Sequence, residues 1–347
     1  PTISAASRAA AFAAASTASA AAAAAPPLPL PAQQQQHASV AVPMLPLLPH
    51  GARTPVEVPG GVRSRARLRL FCLNGVADPA RKLEPYVAAA PDWIDVRLLE
   101  LPQHGTRFST AATSAPLPPC AWRQSVAQSR AELGAQLTQL ARELADAIKP
   151  LLRDSSGDRD VPFALFGFSF GALLAYHVAL ALQADGLTPV GLVVAGRAAP
   201  HALYMPTPLL ERLQGCDERQ LLVFVSTYFG IPVAQLAKFG QSRCASLFRC
   251  GLLLNACAMG APDAAAEAAA PFLFDVARGP PDSQVPPLHL ELGSTAGVGD
   301  RASLGCPVLA CGSPADEFFP AAAMAGWEAV APAGFELRSE LWGWTRN

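Results

Sequence analysis

One stretch constrains this chain more than any other: Phe163-Ala164-Leu165-Phe166-Gly167-Phe168-Ser169-Phe170-Gly171-Ala172-Leu173-Leu174. A short apolar run ends in Gly-x-Ser-x-Gly, and helix formers follow. That order predicts a buried strand, a tight turn and a helix, with a serine presented at the corner: a nucleophile elbow. Gly167 and Gly171 have steric work at such a corner, because without a Cβ the strand and helix can close on each other around a strained Ser169. The helix N-terminus beneath the serine carries partial positive charge, which favours an oxyanion nearby. A bare Gly-x-Ser-x-Gly recurs by chance; the flanking strand and helix carry the reading.

The rest of the chain alternates in the same way. Arg65, Arg67 and Arg69 interleave with Ala66, Leu68 and Leu70 at strand period, and the run ends at Asn74-Gly75. The three arginines read as solvated side chains on one strand face. Residues 79–90 read as a short helix and Ile94–Leu99 as a second strand. A loop rich in Pro, Ser and Thr covers 102–120. Leu133, Leu137, Leu140, Leu144, Ile148 and Leu151 then form one apolar stripe at helical spacing. After the serine strand and its helix, 170 to about 183, comes an apolar strand over 190–195. Cys306–Ala310 reads as a further strand, 320–329 as a helix and 335–341 as a last strand. Strands alternating with helices predict an α/β fold, a mostly parallel sheet with helices on both faces. The loops after its strands, Ser169's among them, fall on the carboxyl edge.

Residues 201–270 break the alternation. Leu209–Leu213, Leu221–Tyr228 and Leu247–Ala256 read as apolar helices, and an insertion of this kind is expected to form a lid. Residues 260–300 read as a loose insertion. Asp316, on the loop beyond the 306–310 strand, has two readings of equal weight: an acid that orients a catalytic base, or a cap of the following helix.

Residues 1–62 form a low-complexity leader of alanine tracts, a Pro/Leu stretch and Gln33–Gln36, with no acid before Glu57. Acid-poor, Ser/Ala-rich composition points to a chloroplast or mitochondrial transit peptide, against a disordered tail in a cytoplasmic protein. Residues 63–347 are then the folded domain. Alanine transfers weakly and Pro26-Pro27 interrupts the run, so no membrane span is expected. The net charge of −1 gives no electrostatic footprint for nucleic acid. Among the eight cysteines there is no Cys-x-x-Cys and no histidine at zinc-ligand spacing, so no metal is expected. Cys72, Cys306 and Cys311 lie in or beside apolar runs and read as buried thiols of a reduced compartment.

The segment Pro162 to Tyr176 resembles the nucleophile segment of the type II thioesterases. These are α/β-hydrolases that remove acyl groups from carrier proteins in polyketide, nonribosomal-peptide and fatty-acid synthesis. Gly196-Arg197-Ala198-Ala199-Pro200-His201 is similar to that family's post-strand motif, and Leu101-Pro102-Gln103-His104-Gly105-Thr106-Arg107 to its Leu-Pro-Gly-Arg-Gly-x-Arg loop. Cys306-Pro307-Val308-Leu309-Ala310-Cys311-Gly312 looks like the strand before its catalytic aspartate. The resemblance covers about residues 66–344. It implies that Ser169 is the nucleophile and Asp316 the triad acid. It also implies that no prosthetic cofactor is needed, since phosphopantetheine arrives with the substrate. The implied partner is an acyl carrier protein or another phosphopantetheine-bearing synthase, and a monomer is expected.

Two departures stand out. The family's first strand ends in Phe-Pro-x-Ala-Gly-Gly, whose backbone donates to the oxyanion; here it is Leu73-Asn74-Gly75-Val76-Ala77-Asp78. Val76 takes the donor's place, with the Phe170 N–H as its partner. A backbone N–H survives any non-proline substitution, but loss of the glycines is expected to shift its aim. The second departure is Trp344, which stands where the family has its catalytic histidine. An indole N–H only donates, so it cannot take a proton from a serine. Of the histidines present, His37, His50, His104, His177, His201 and His289, each reads as a solvated imidazole rather than a base. The opening Pro1 and the absent closing helix read as signs of a truncated chain. The expected function is thus a serine-dependent thioesterase lacking its histidine, or a catalytically dead acyl- or partner-binding module on the same fold.

Overall fold

The computed structural model describes residues 66–101, 126–153, 161–200, 217–229, 302–313 and 321–339, together with 236, 245, 247, 248, 251 and 319. Six strands make one sheet: β1 (Leu68–Leu73), β2 (Ile94–Leu99), β3 (Phe163–Phe168), β4 (Gly191–Ala195), β5 (Val308–Cys311) and β6 (Phe335–Arg338). Their spatial order is β2-β1-β3-β4-β5-β6. Every neighbouring pair is parallel. The described helices are α1 (Glu84–Ala89), α2 (Val126–Ile148), α3 (Phe170–Ala184), α4 (Glu218–Phe229) and α5 (Ala321–Ala325). The α/β reading from the sequence is borne out. The strand read over 335–341 is described as β6 only to Arg338, and the 79–90 helix is a 3₁₀ turn, Ala80–Leu83, running into α1.

Alternation along the strands assigns the two faces. Phe71, Leu73, Leu165, Leu192 and Val194 join the main core with α2 and α3. Cys72, Val96 and Leu98 turn the other way and pack on Ala80 and Leu83 at the entrance to α1. Helix α3 is apolar nearly all round and buried along most of its length, as a helix so composed must be. Leu173, Leu174, Val178 and Leu182 are wholly buried, each worth about 1.5–3 kcal/mol over the exposed side chain. Among its described side chains helix α2 buries one face: Leu137, Ala141, Leu144, Ala145 and Ile148. Pro150 then turns the chain into a 3₁₀ segment, Lys149–Leu152. At the surface Arg142 and Lys149 both reach Asp185 just past the end of α3, at 2.9 and 2.5 Å.

One expectation fails on β1. Arg69 is not solvated: it is 7% exposed, and its Nε donates to Asp95 Oδ2 at 2.9 Å. Asp95 stands opposite it in the β1–β2 register and also accepts from Arg97 Nε at 2.9 Å. One carboxylate, on the strand beside Arg69 and two residues from Arg97, makes burial of both guanidiniums tolerable. Arg67 is exposed as expected. Cys72, Cys306 and Cys311 are buried free thiols. Burial pushes Cys72 up to about 12 and Cys306 up to about 11, so neither forms a thiolate near neutral pH.

The strand order reverses direction between β1 and β3: the chain adds β2 on one side of β1, then builds outward on the other. At such a switch point the loops leaving two neighbouring strands diverge and open a crevice at the carboxyl edge. The loop after β1 and the turn after β3 meet there.

Candidate active site

Ser169 occupies that turn with φ 54° and ψ −119°, a conformation that L residues adopt only when their surroundings hold them in it. The holding contacts are visible. The Ser169 N–H donates to the Ala195 carbonyl at 2.9 Å, and the Ser169 carbonyl accepts from Ala172 N–H at 3.0 Å. A Cβ on Gly167 would land on the Gly171 carbonyl, and one on Gly171 on the Leu73 carbonyl. Both glycines therefore serve the close strand–helix approach read from the sequence.

A serine at a helix N-cap ordinarily turns its hydroxyl onto the first amides of its own helix. Ser169 makes no such bond. The hydroxyl is therefore not committed to capping α3. Among the described residues no protein acceptor takes the Phe170 N–H, one of the first-turn amides that a helix leaves unsatisfied.

The loop after β1 comes to Ser169 from the side. A Cβ on Gly75 would stand 3.4 Å from Ser169 Cβ. The Gly75 carbonyl accepts from Asp78 N–H at 3.2 Å, closing a turn with Val76 and Ala77 at its centre. Ala77 has φ 61°, the value a type II turn needs at its third position and normally fills with glycine. The alanine takes this left-handed conformation without a glycine's freedom, so its surroundings must hold it there. The Val76 side chain packs against Gly251, a helical residue from the stretch expected to form a lid. Helix α4 lies in that stretch where a helix was expected; the 209–213 helix, and most of 247–256, lie outside the described residues.

Ser169, Phe170 and Val76 are thus brought to one sheet edge. Asp316, Trp344, His104, His201 and His289 lie outside the described residues, as do His37 and His50 in the leader. Cys311 pairs with Ala195, which pairs with Phe168, so the loop that leads to Asp316 departs from the same edge as Ser169.

His177 is a correction: it is mostly buried, not solvated. Burial first, and the nearby Arg197 charge second, lower its pKa to about 4. Its Nε2 has no hydrogen-bond partner among the described residues, and its ring meets Tyr176 edge-on at 5.2 Å. Arg197 is 3% exposed, and its carbonyl accepts from Trp327 Nε1 at 2.8 Å. The motif at 196–200 thus anchors the backbone beside the elbow. Sequence reasoning passed over Asn74 and Ala77; the signal available was the Asn-Gly pair that closes β1, a turn signature.

Known proteins show the same likeness. A family model described as a thioesterase domain matches residues 108–211, a span that contains the elbow. The medium-chain S-acyl fatty acid synthase thioesterase of Anas platyrhynchos is 33% identical over 97 residues, 28% of this chain and 36% of that protein. The gramicidin S biosynthesis protein GrsT of Aneurinibacillus migulanus is 29% identical over 145 residues, 42% of this chain and 46% of that one. The matches thus span less than half the length of these relatives. Among solved structures, the RedJ thioesterase from the prodiginine pathway of Streptomyces coelicolor superposes with a TM-score of 0.50 at 22% identity, covering 82% of each chain. The fold is that of the α/β-hydrolases, and the resemblance to thioesterases read from the serine segment is borne out.

Proposed function

We propose that the chain is a thioesterase that hydrolyses acyl thioesters carried on the phosphopantetheine of a carrier protein, with Ser169 as nucleophile. The observation that carries the reading is the Ser169 backbone, held at φ 54° on the carboxyl edge with its hydroxyl uncommitted to its own helix. In the reaction Oγ attacks the thioester carbonyl and its proton passes to a base. The Val76 and Phe170 N–H groups hold the oxyanion. The C–S bond breaks, and the thiol leaves with a proton. Water then attacks the acyl-enzyme and releases the acid. Asp316 would orient the base, on the family pattern.

The base itself is the open position. His177 is the only histidine among the described residues. It lies eight positions past Ser169 on α3, about 12 Å along the axis at 1.5 Å per residue, and is half-buried there with its pKa lowered by desolvation. Trp344 favours the second reading, in which the same crevice binds an acyl group without turnover. A fluorophosphonate probe separates the two, since Oγ must displace fluoride to be labelled. Labelling of the folded chain that disappears in Ser169→Ala, with hydrolysis of an acyl-pantetheine, supports the enzyme. Binding of a non-hydrolysable acyl-pantetheine ether without labelling supports the binder.

A further inference from the structure

We infer that Asn74 is the positioning residue of the oxyanion loop, a role that rests on the serine reading above and goes beyond it. Asn74 is 4% exposed at the carboxyl end of β1. Its Oδ1 accepts from the Gly75 N–H at 2.8 Å, and its Nδ2 donates to the Pro79 carbonyl at 3.1 Å. One side chain therefore ties both ends of the 75–79 loop, and the Gly75–Asp78 bond closes the turn inside it.

Three consequences follow for the chemistry. With Gly75 N–H occupied by Asn74, the next amide along the loop is that of Val76, which has no acceptor among the described residues. Ala77 is held in the left-handed region at φ 61°, and such strain persists only where neighbouring contacts over-determine it. The Asn74 amide supplies two of those contacts. Finally, the tie sits directly against the nucleophile turn: Gly171 lies against the Leu73 and Asn74 carbonyls, and Gly75 against Ser169. A loop released at Asn74 moves its donor relative to Oγ, and ångström-scale misplacement of a catalytic group costs up to about 100-fold.

The test measures the second-order rate of fluorophosphonate labelling at Ser169 in the full chain and in Asn74→Ala and Asn74→Asp. Affinity for a non-hydrolysable acyl-pantetheine ether, thermal midpoint, and amide exchange at Gly75 and Asp78 are followed in parallel. Asn74→Ala is expected to label about 10- to 100-fold more slowly with ether affinity within twofold, and both amides exchange faster. Asn74→Asp keeps the acceptor for Gly75 N–H but loses the donor to Pro79, so it falls between; it also serves if Asn74→Ala does not fold. A wild-type chain that never labels at Ser169 overturns the reading of the function. A labelled wild type with an unchanged Asn74→Ala rate, or a loss explained wholly by ether affinity, overturns the positioning role alone.

Discussion

Gly171 lies against Leu73 so closely that a side chain on the helix would occupy the carbonyl of the strand. The obstacle is backbone, which cannot rotate away. Gly171→Ala is therefore expected to cost at least about 3 kcal/mol, at the upper end of overpacking penalties, or to prevent folding. Gly134 on α2 has nothing within 4 Å of its would-be Cβ. Gly134→Ala should instead stabilise by about 0.5–1 kcal/mol through helix propensity. Urea melts of the two variants give opposite signs if the elbow is packed as described.

Among the described residues two non-glycines have positive φ, Ser169 and Ala77, and both store strain. Ser169→Gly is expected to raise stability by about 1 kcal/mol and to abolish probe labelling, while Ser169→Ala abolishes labelling with no such gain, because alanine keeps the steric penalty. Ala77→Gly should stabilise by a similar amount and leave labelling in place. Equal stability of Ser169→Gly and Ser169→Ala would mean that the corner is not strained.

Asp95 holds two buried guanidiniums, Arg69 and Arg97. Asp95→Asn removes the negative charge and leaves the shape, so its cost isolates the electrostatics. Breaking a buried pair from one side typically costs about 3–5 kcal/mol, and the loss should persist in high salt, since screening reaches buried pairs weakly. A change below 1 kcal/mol would show that other partners compensate these arginines.

His177 makes stability depend on pH. Its folded pKa is lowered from the ordinary 6.5 to about 4. The unfolded chain therefore binds the proton more readily, and stability is full above pH 6.5 and declines as pH falls toward 4. The decline attributable to this residue is on the order of 2–3 kcal/mol. His177→Gln should flatten the thermal midpoint between pH 7 and 4.5 relative to wild type. An unchanged slope would assign the acid sensitivity to other groups.

What was legible in the amino acids alone is what depends on neighbours in sequence. Gly167-Phe168-Ser169-Phe170-Gly171 announced a corner because glycine spacing, an apolar run and helix formers are local properties. The stripe on α2 and the apolar strands were readable for the same reason, and together they determined a parallel α/β sheet with the serine on its carboxyl edge. Only the tertiary structure decided what sits beside what. The burial of Arg69 depends on Asp95, 26 positions away, and that of His177 reflects the packing of α3 beside Arg197. Asn74 became the brace of the loop only when Pro79 folded back within reach of its amide. Strand pairing and packing set these contacts through space, and no local spacing rule encodes a partner brought in by the fold.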